Sequence, residues 1–287
     1  MTFLRFFLIA SLLTSAMSDV RAQNAPILQF IKQEPLYLPR DRLKEPSGLD
    51  IQPNSQAFWI VSDDSAELFS VKMPPARVDV MFPLAYEGLE GVSAGWDEGI
   101  VLMVQEDTNA IVLIDERNSA ASVRLPISKM NGYDAIADHF EGSDTNKGLE
   151  GIAVDRERRR IFVVKEGKPR LLVEISSDLS SITAHRKLKA KHGFRVPGLK
   201  DKKLDISGLY YDRAQDALWM ASDRGGSVFL YDLKSNRAVR LEIEYDGGEI
   251  PDLKGIEGIA LSNDHEVLYL VSDAGKESAL FTFRVIR

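Results

Sequence analysis

The chain has 287 residues, of which 28% are charged, with a formal net charge of −7 and no cysteine. Disulfides, thiolate metal sites and cysteine nucleophiles are thereby excluded. The acidic balance argues against nucleic acid as a partner, because phosphate binding needs a basic surface, and it suits cations.

Residues 1–22 have the form of a secretory signal. Arg5 supplies the positive region, residues 6–13 form an apolar run too short to span a bilayer, and Val20-Arg21-Ala22 offers a cleavage site before Gln23. Cleavage predicts a periplasmic or secreted protein with no transmembrane segment; the alternative is an uncleaved membrane anchor. Losing Arg5, Asp19 and Arg21 takes the net charge from −7 to −8. Residues 23–287 then form a single domain.

From there a phrase recurs five times: an acid, then Gly, then an aliphatic residue. Its copies are Glu45-Pro46-Ser47-Gly48-Leu49, Leu89-Glu90-Gly91-Val92, Leu149-Glu150-Gly151-Ile152, Asp205-Ile206-Ser207-Gly208-Leu209 and Ile256-Glu257-Gly258-Ile259. After each comes an apolar run with a polar end, at 58–63, 101–106, 161–166, 218–223 and 268–273. Third strands read at 68–71, 111–114, 171–174, 228–231 and 279–283. Fourth strands read at 77–82, 121–127, 181–188 and 238–244. The acids are 45, 60, 55 and 52 residues apart. Short strands repeating near that period are the signature of propeller blades. The expectation is an all-β, five-bladed β-propeller with four-stranded blades. The fifth repeat lacks its outer strand, so the run at 27–38 is expected to pair with the last blade and close the ring, protecting the open edges. Two connections are long, 128–147 and the basic 189–203, and long loops in compact domains are commonly functional.

In a propeller the first strand of each blade lines the axis, and the antiparallel second strand returns to the same face. Glu45, Glu90, Glu150, Asp205 and Glu257 are therefore expected to converge as a ring. A second set, Asp63, Asp64, Glu106, Glu166, Asp223 and Asp273, should lie beside it. Crowded carboxylates resist joint ionisation, and a hard cation reverses that cost. Calcium, which takes ~6–8 oxygen ligands, suits such a set better than magnesium. The competing reading is that the acids only cap turn amides. The Gly of the phrase is explained by tight backbone packing at the ring centre. Lys165 could neutralise the ring or hold an anionic ligand. Gly91-Val92-Ser93-Ala94-Gly95 matches a hydrolase elbow, yet it aligns with first strands rather than a strand-to-helix turn. The four histidines have no zinc spacing.

The phrases Glu45–Leu49, Lys147–Asp155, Val164–Arg170, Asp205–Leu209 and Glu257–Ala260 resemble the SdiA-regulated, YjiK-like propeller family, distantly related to NHL-repeat propellers. The resemblance implies a five-bladed propeller, a calcium site and bacterial envelope association, and no established reaction. Of the acids, Glu90, Glu150, Asp205 and Glu257 match its pattern best. The expected function is that of a calcium-binding module for a small anionic or oxygen-rich ligand or an envelope protein. The alternative is a metal-dependent hydrolase of esters, lactones or phosphoesters, with Glu166 or Glu106 activating water.

Overall fold

A computed structural model describes residues 25–53, 55–73, 76–118, 122–141, 147–248 and 251–287. The signal segment expected at 1–22 lies outside them. The chain starts with β1 (Ile27–Pro35) and then lays down sheets in sequence. The first blade is β2 (Pro46–Ile51), β3 (Ala57–Ser62), β4 (Glu67–Lys72) and β5 (Arg77–Pro83); the second is β6 (Leu89–Ala94), β7 (Ile100–Gln105), β8 (Ala110–Asp115) and β9 (Val123–Pro126). The third is β10 (Leu149–Asp155), β11 (Arg160–Lys165), β12 (Leu171–Ser176) and β13 (Ile182–Lys187). The fourth is β14 (Gly208–Asp212), β15 (Ala217–Ser222), β16 (Ser227–Asp232) and β17 (Arg237–Arg240); β18 (Glu242–Glu244), β19 (Ile256–Leu261), β20 (Val267–Ser272) and β21 (Ala279–Ile286) follow. The first four blades are antiparallel meanders in chain order.

Each blade is sandwiched between two others, so its inner strands are buried on both faces. That is why they read as continuous apolar runs rather than alternating ones: β3 and β15 are buried at every position. Outer strands face solvent on one side, and β5 is exposed along most of its length. Five apolar clusters fill the five gaps between neighbouring blades.

Ring closure follows the sequence expectation, with one addition. β1 pairs antiparallel with β21, Ile27 opposite Ile286 and Pro35 opposite Ala279. The strand read at 238–244 does not stay in the fourth blade, however. It breaks at Leu241, and β18 crosses over to pair in parallel with β1. The last sheet therefore has five strands, in the order β18-β1-β21-β20-β19.

Candidate functional site

The face where the inner strands begin carries the acids, and it is built on glycine. The repeat glycine of each blade lies against the backbone of the next blade's phrase. A Cβ on Gly48 would sit 2.8 Å from the Glu90 carbonyl, and one on Gly91 would sit 2.5 Å from the Glu150 carbonyl. The pattern continues through Gly151, Gly208 and Gly258, which returns to Leu49. Five inner strands can meet this closely only without side chains at those positions. The axial space left between them is about 10 Å³, room for about one water. The waist is closed, and the carboxylates stand above it.

They do not form one ring of five. Counted back from the glycine, Glu90, Glu150 and Glu257 lie one residue away. In all three blades that residue is skipped in the pairing of the first strand with the second, so it forms a bulge. Bulges redirect side chains. In the first and fourth blades Ser47 and Ser207 hold this position, and the acids Glu45 and Asp205 lie two residues earlier. The sequence phrase merges two positions that the fold separates.

Asp205 behaves as a turn cap. It is 2% exposed and accepts from Ser222 Oγ at 2.6 Å and from the Arg224 amide at 3.1 and 3.2 Å. Burial raises its pKa and these bonds oppose the rise. Several acids of the second set also cap. Glu106 accepts from the Gly148 amide at 3.1 Å, Asp223 from Gly255 at 2.7 Å and Asp273 from Gly275 at 3.3 Å. The first two of these reach across to the next blade and tie the ring together. Glu166 lies between Lys147 at 3.2 Å and Arg224 at 3.4 Å.

Lys165 is fully buried. Its ammonium donates to the Gly167 carbonyl at 2.6 Å and lies 5.8 Å from the centre of the Phe140 ring. Burial pushes its pKa down. Its ammonium is thus spent on a carbonyl of its own turn.

The three bulge glutamates are electrically strained. Burial, followed by the charges of Asp63 and Glu106, lifts Glu90 to about 8. Burial also lifts Glu150 and Glu257 well above the usual carboxylate range, and Glu90 is the foremost charge opposing each. Burial raises Glu106 as well, opposed by the Gly148 amide and the neighbouring Glu150 side chain.

The first blade gathers a different group. One carboxylate oxygen from each of Glu45, Asp63 and Asp64 lies within 4.8 Å of the other two. Burial, then the charges of Asp273 and Asp64, lifts Asp63 to about 6. Glu45 is raised by burial and by Asp273, Asp64 and Asp63. Asp63 Oδ1 is buried and has no hydrogen-bond partner among the described residues. No described lysine, arginine or histidine pairs with any of the three. A buried lone pair beside two further carboxylates is the donor set a hard cation takes. Sequence reasoning missed Ser47, Lys147 and Arg224. Counting back from the glycine rather than from the acid would have exposed the serine.

Among solved structures the fold resembles a glutaminyl cyclase from Myxococcus xanthus, with a TM-score of 0.58 and 12% identity over 91% of this chain and 97% of that one. It also resembles a chain of a nidogen/laminin complex, with a TM-score of 0.51 and 12% identity over 80% of this chain and 72% of that one. At such identity the likeness is one of fold. Residues 44–282 match the family described as SdiA-regulated, and so the chain is a member of the SdiA-regulated family.

Proposed function

We propose that the protein is an exported calcium-binding propeller that acts as a ligand-binding or interaction module in the cell envelope. The observation that carries the reading is the Glu45, Asp63 and Asp64 cluster, whose buried Asp63 oxygen has no partner, and which pairs with no cation, among the described residues. Calcium would draw on these three carboxylates. It would supply positive charge at the mouth of the closed waist, where an anionic or oxygen-rich ligand could complete its coordination.

The hydrolytic alternative is less well supported. Its two candidate bases are engaged elsewhere, Glu166 with two cations and Glu106 with the Gly148 amide. Activating water would cost those contacts.

Thermal unfolding in chelator and in millimolar calcium tests the proposal. A ligand held at 100 times its Kd adds about 2.7 kcal/mol to the native state, which for a domain of this size raises the Tm by roughly 5–10 °C. Asp63→Ala should abolish the shift. Equal Tm values in chelator and calcium would remove the calcium reading. Turnover of a chromogenic ester, lactone or phosphoester that requires calcium would instead favour the hydrolase.

A further inference from the structure

A second cavity lies away from the axis. The loop 188–204 joins β13 to β14 and folds against the outer part of the fourth blade, and Arg170 is what gives it a fixed shape. That side chain is buried. Its Nε donates to the Leu188 carbonyl at 3.1 Å, and Nη1 donates to the Asp201 and Leu204 carbonyls at 2.7 Å each. Nη2 pairs with the Asp201 carboxylate at 2.7 Å. One guanidinium thus clasps both ends of the loop. Its middle is held by Phe194, fully buried with its ring centre 5.4 Å from Phe229 and 5.6 Å from Tyr231, and by Arg237, which donates to the Lys191 carbonyl at 2.6 Å.

Between this loop and β17 is a cavity of about 510 Å³, a volume ordinary for small-molecule sites. Phe194, Val196, Leu199 and Leu204 supply an apolar wall, and Arg195 and Arg240 supply charge. Arg195 uses Nε on the Ala190 carbonyl at 2.9 Å. The Arg240 guanidinium makes no hydrogen bond or ion pair with any described residue. Asp201, the acid that also lines the cavity, is already neutralised by Arg170. Lys189, Lys191, Lys200, Lys202 and Lys203 lie on the same loop, so a chain of net charge −7 carries a concentrated positive patch here.

A hydrocarbon alone would leave the arginines desolvated and unpaired, which is costly. A small polar anion would leave the apolar wall wet. We propose that this cavity binds an acyl carboxylate. Its chain lies along Val196, Pro197 and Leu199, over the buried Phe194 and Leu204, and its carboxylate is held by Arg240 and Arg195, whose planar donor forks match a carboxylate. The site is separate from the calcium cluster and does not depend on it.

Decanoate is the probe, titrated calorimetrically in chelator so that the axial carboxylates hold no metal. Saturable one-to-one binding is expected, with decanol at least tenfold weaker. Arg240→Gln should weaken decanoate by roughly tenfold to a hundredfold, the loss of a charge-assisted hydrogen bond, and leave decanol unchanged. Leu199→Asp should abolish binding of both. Arg240 is exposed, so its variant carries the test even if Leu199→Asp fails to fold. Absence of saturable decanoate binding, equal affinity for decanol, or an unaffected Arg240→Gln variant would each overturn the proposal. So would loss of binding in Asp63→Ala, which would place the anion at the axis.

Discussion

The acidic face has two unlike sides. From the second to the fourth blade the outer acids have partners: Glu166 has Lys147 and Arg224, Asp205 has Ser222 and the Arg224 amide, and Glu106 has the Gly148 amide. Around the first blade Glu45, Asp63 and Asp64 face one another, paired with no cation among the described residues. Both sides stand on the same repeat. The contrast teaches that a repeated acid is not a repeated function: the same residue type caps a turn in one blade and is left electrostatically unsatisfied in another. Neutralisation is supplied from within the chain on one side, and no described cation supplies it on the other.

That comparison breaks first at the waist both sides share. Gly208→Ala would drive a Cβ into the Glu257 carbonyl, which is backbone and cannot swing aside. We expect a loss of about 3 kcal/mol by denaturant unfolding. A silent substitution would mean that the spacing of the glutamates is not fixed.

Next is a matched pair of alanine substitutions measured in chelator. Asp205→Ala leaves the Ser222 hydroxyl and the Arg224 amide without their acceptor and should cost about 1–3 kcal/mol. Asp63→Ala removes a charge that Asp273 and Asp64 oppose, and should be neutral or stabilising by up to about 1 kcal/mol. Opposite signs sustain the two-sided picture, and equal losses would end it.

Acidity sharpens it further. Asp63, lifted to about 6, and Glu90, lifted to about 8, hold protons in the folded state that the unfolded chain releases nearer pH 4. The native state binds more protons across that window, so without metal its stability should fall as pH rises from about 4 toward 8. Calcium should reverse the trend, and its stabilising effect should grow with pH. Melting curves at pH 5 and pH 8, with and without calcium, measure this; a calcium effect that shrinks with pH would place the ion elsewhere.

The smallest effect is expected from Arg224→Gln. It removes one of two cations from Glu166, and because the arginine is half exposed the loss should be near 0.5 kcal/mol. The informative readout is whether the compensated side then gains a calcium response of its own.

Much of the fold was legible because strands buried on both faces leave unbroken apolar runs, as at Phe58–Val61 and Ile161–Val164. The closing role of β1 was legible from a missing strand. The break at Leu241 was not, because Arg240 and Glu242 share one polar pattern and only tertiary pairing assigns them to different sheets. At the site, the acids could be read but their grouping could not. Ser47 looks like a spacer until the bulge shows that it takes the place of a glutamate. Lys165 sits at a run end beside Glu166, yet strand alternation turns it inward to Gly167 while its neighbour pairs with Lys147.

The placement of β1 between β21 and β18 also has a temporal meaning. Gln29 meets Arg284 across 255 positions of chain, so β1 can find its seat only after β21 has been made. Until then the fifth blade presents a bare edge, and contacts of such long range form slowly. At this one seam a strand waits for a partner made much later, and until then its edge is open to pairing with a neighbour instead of with itself.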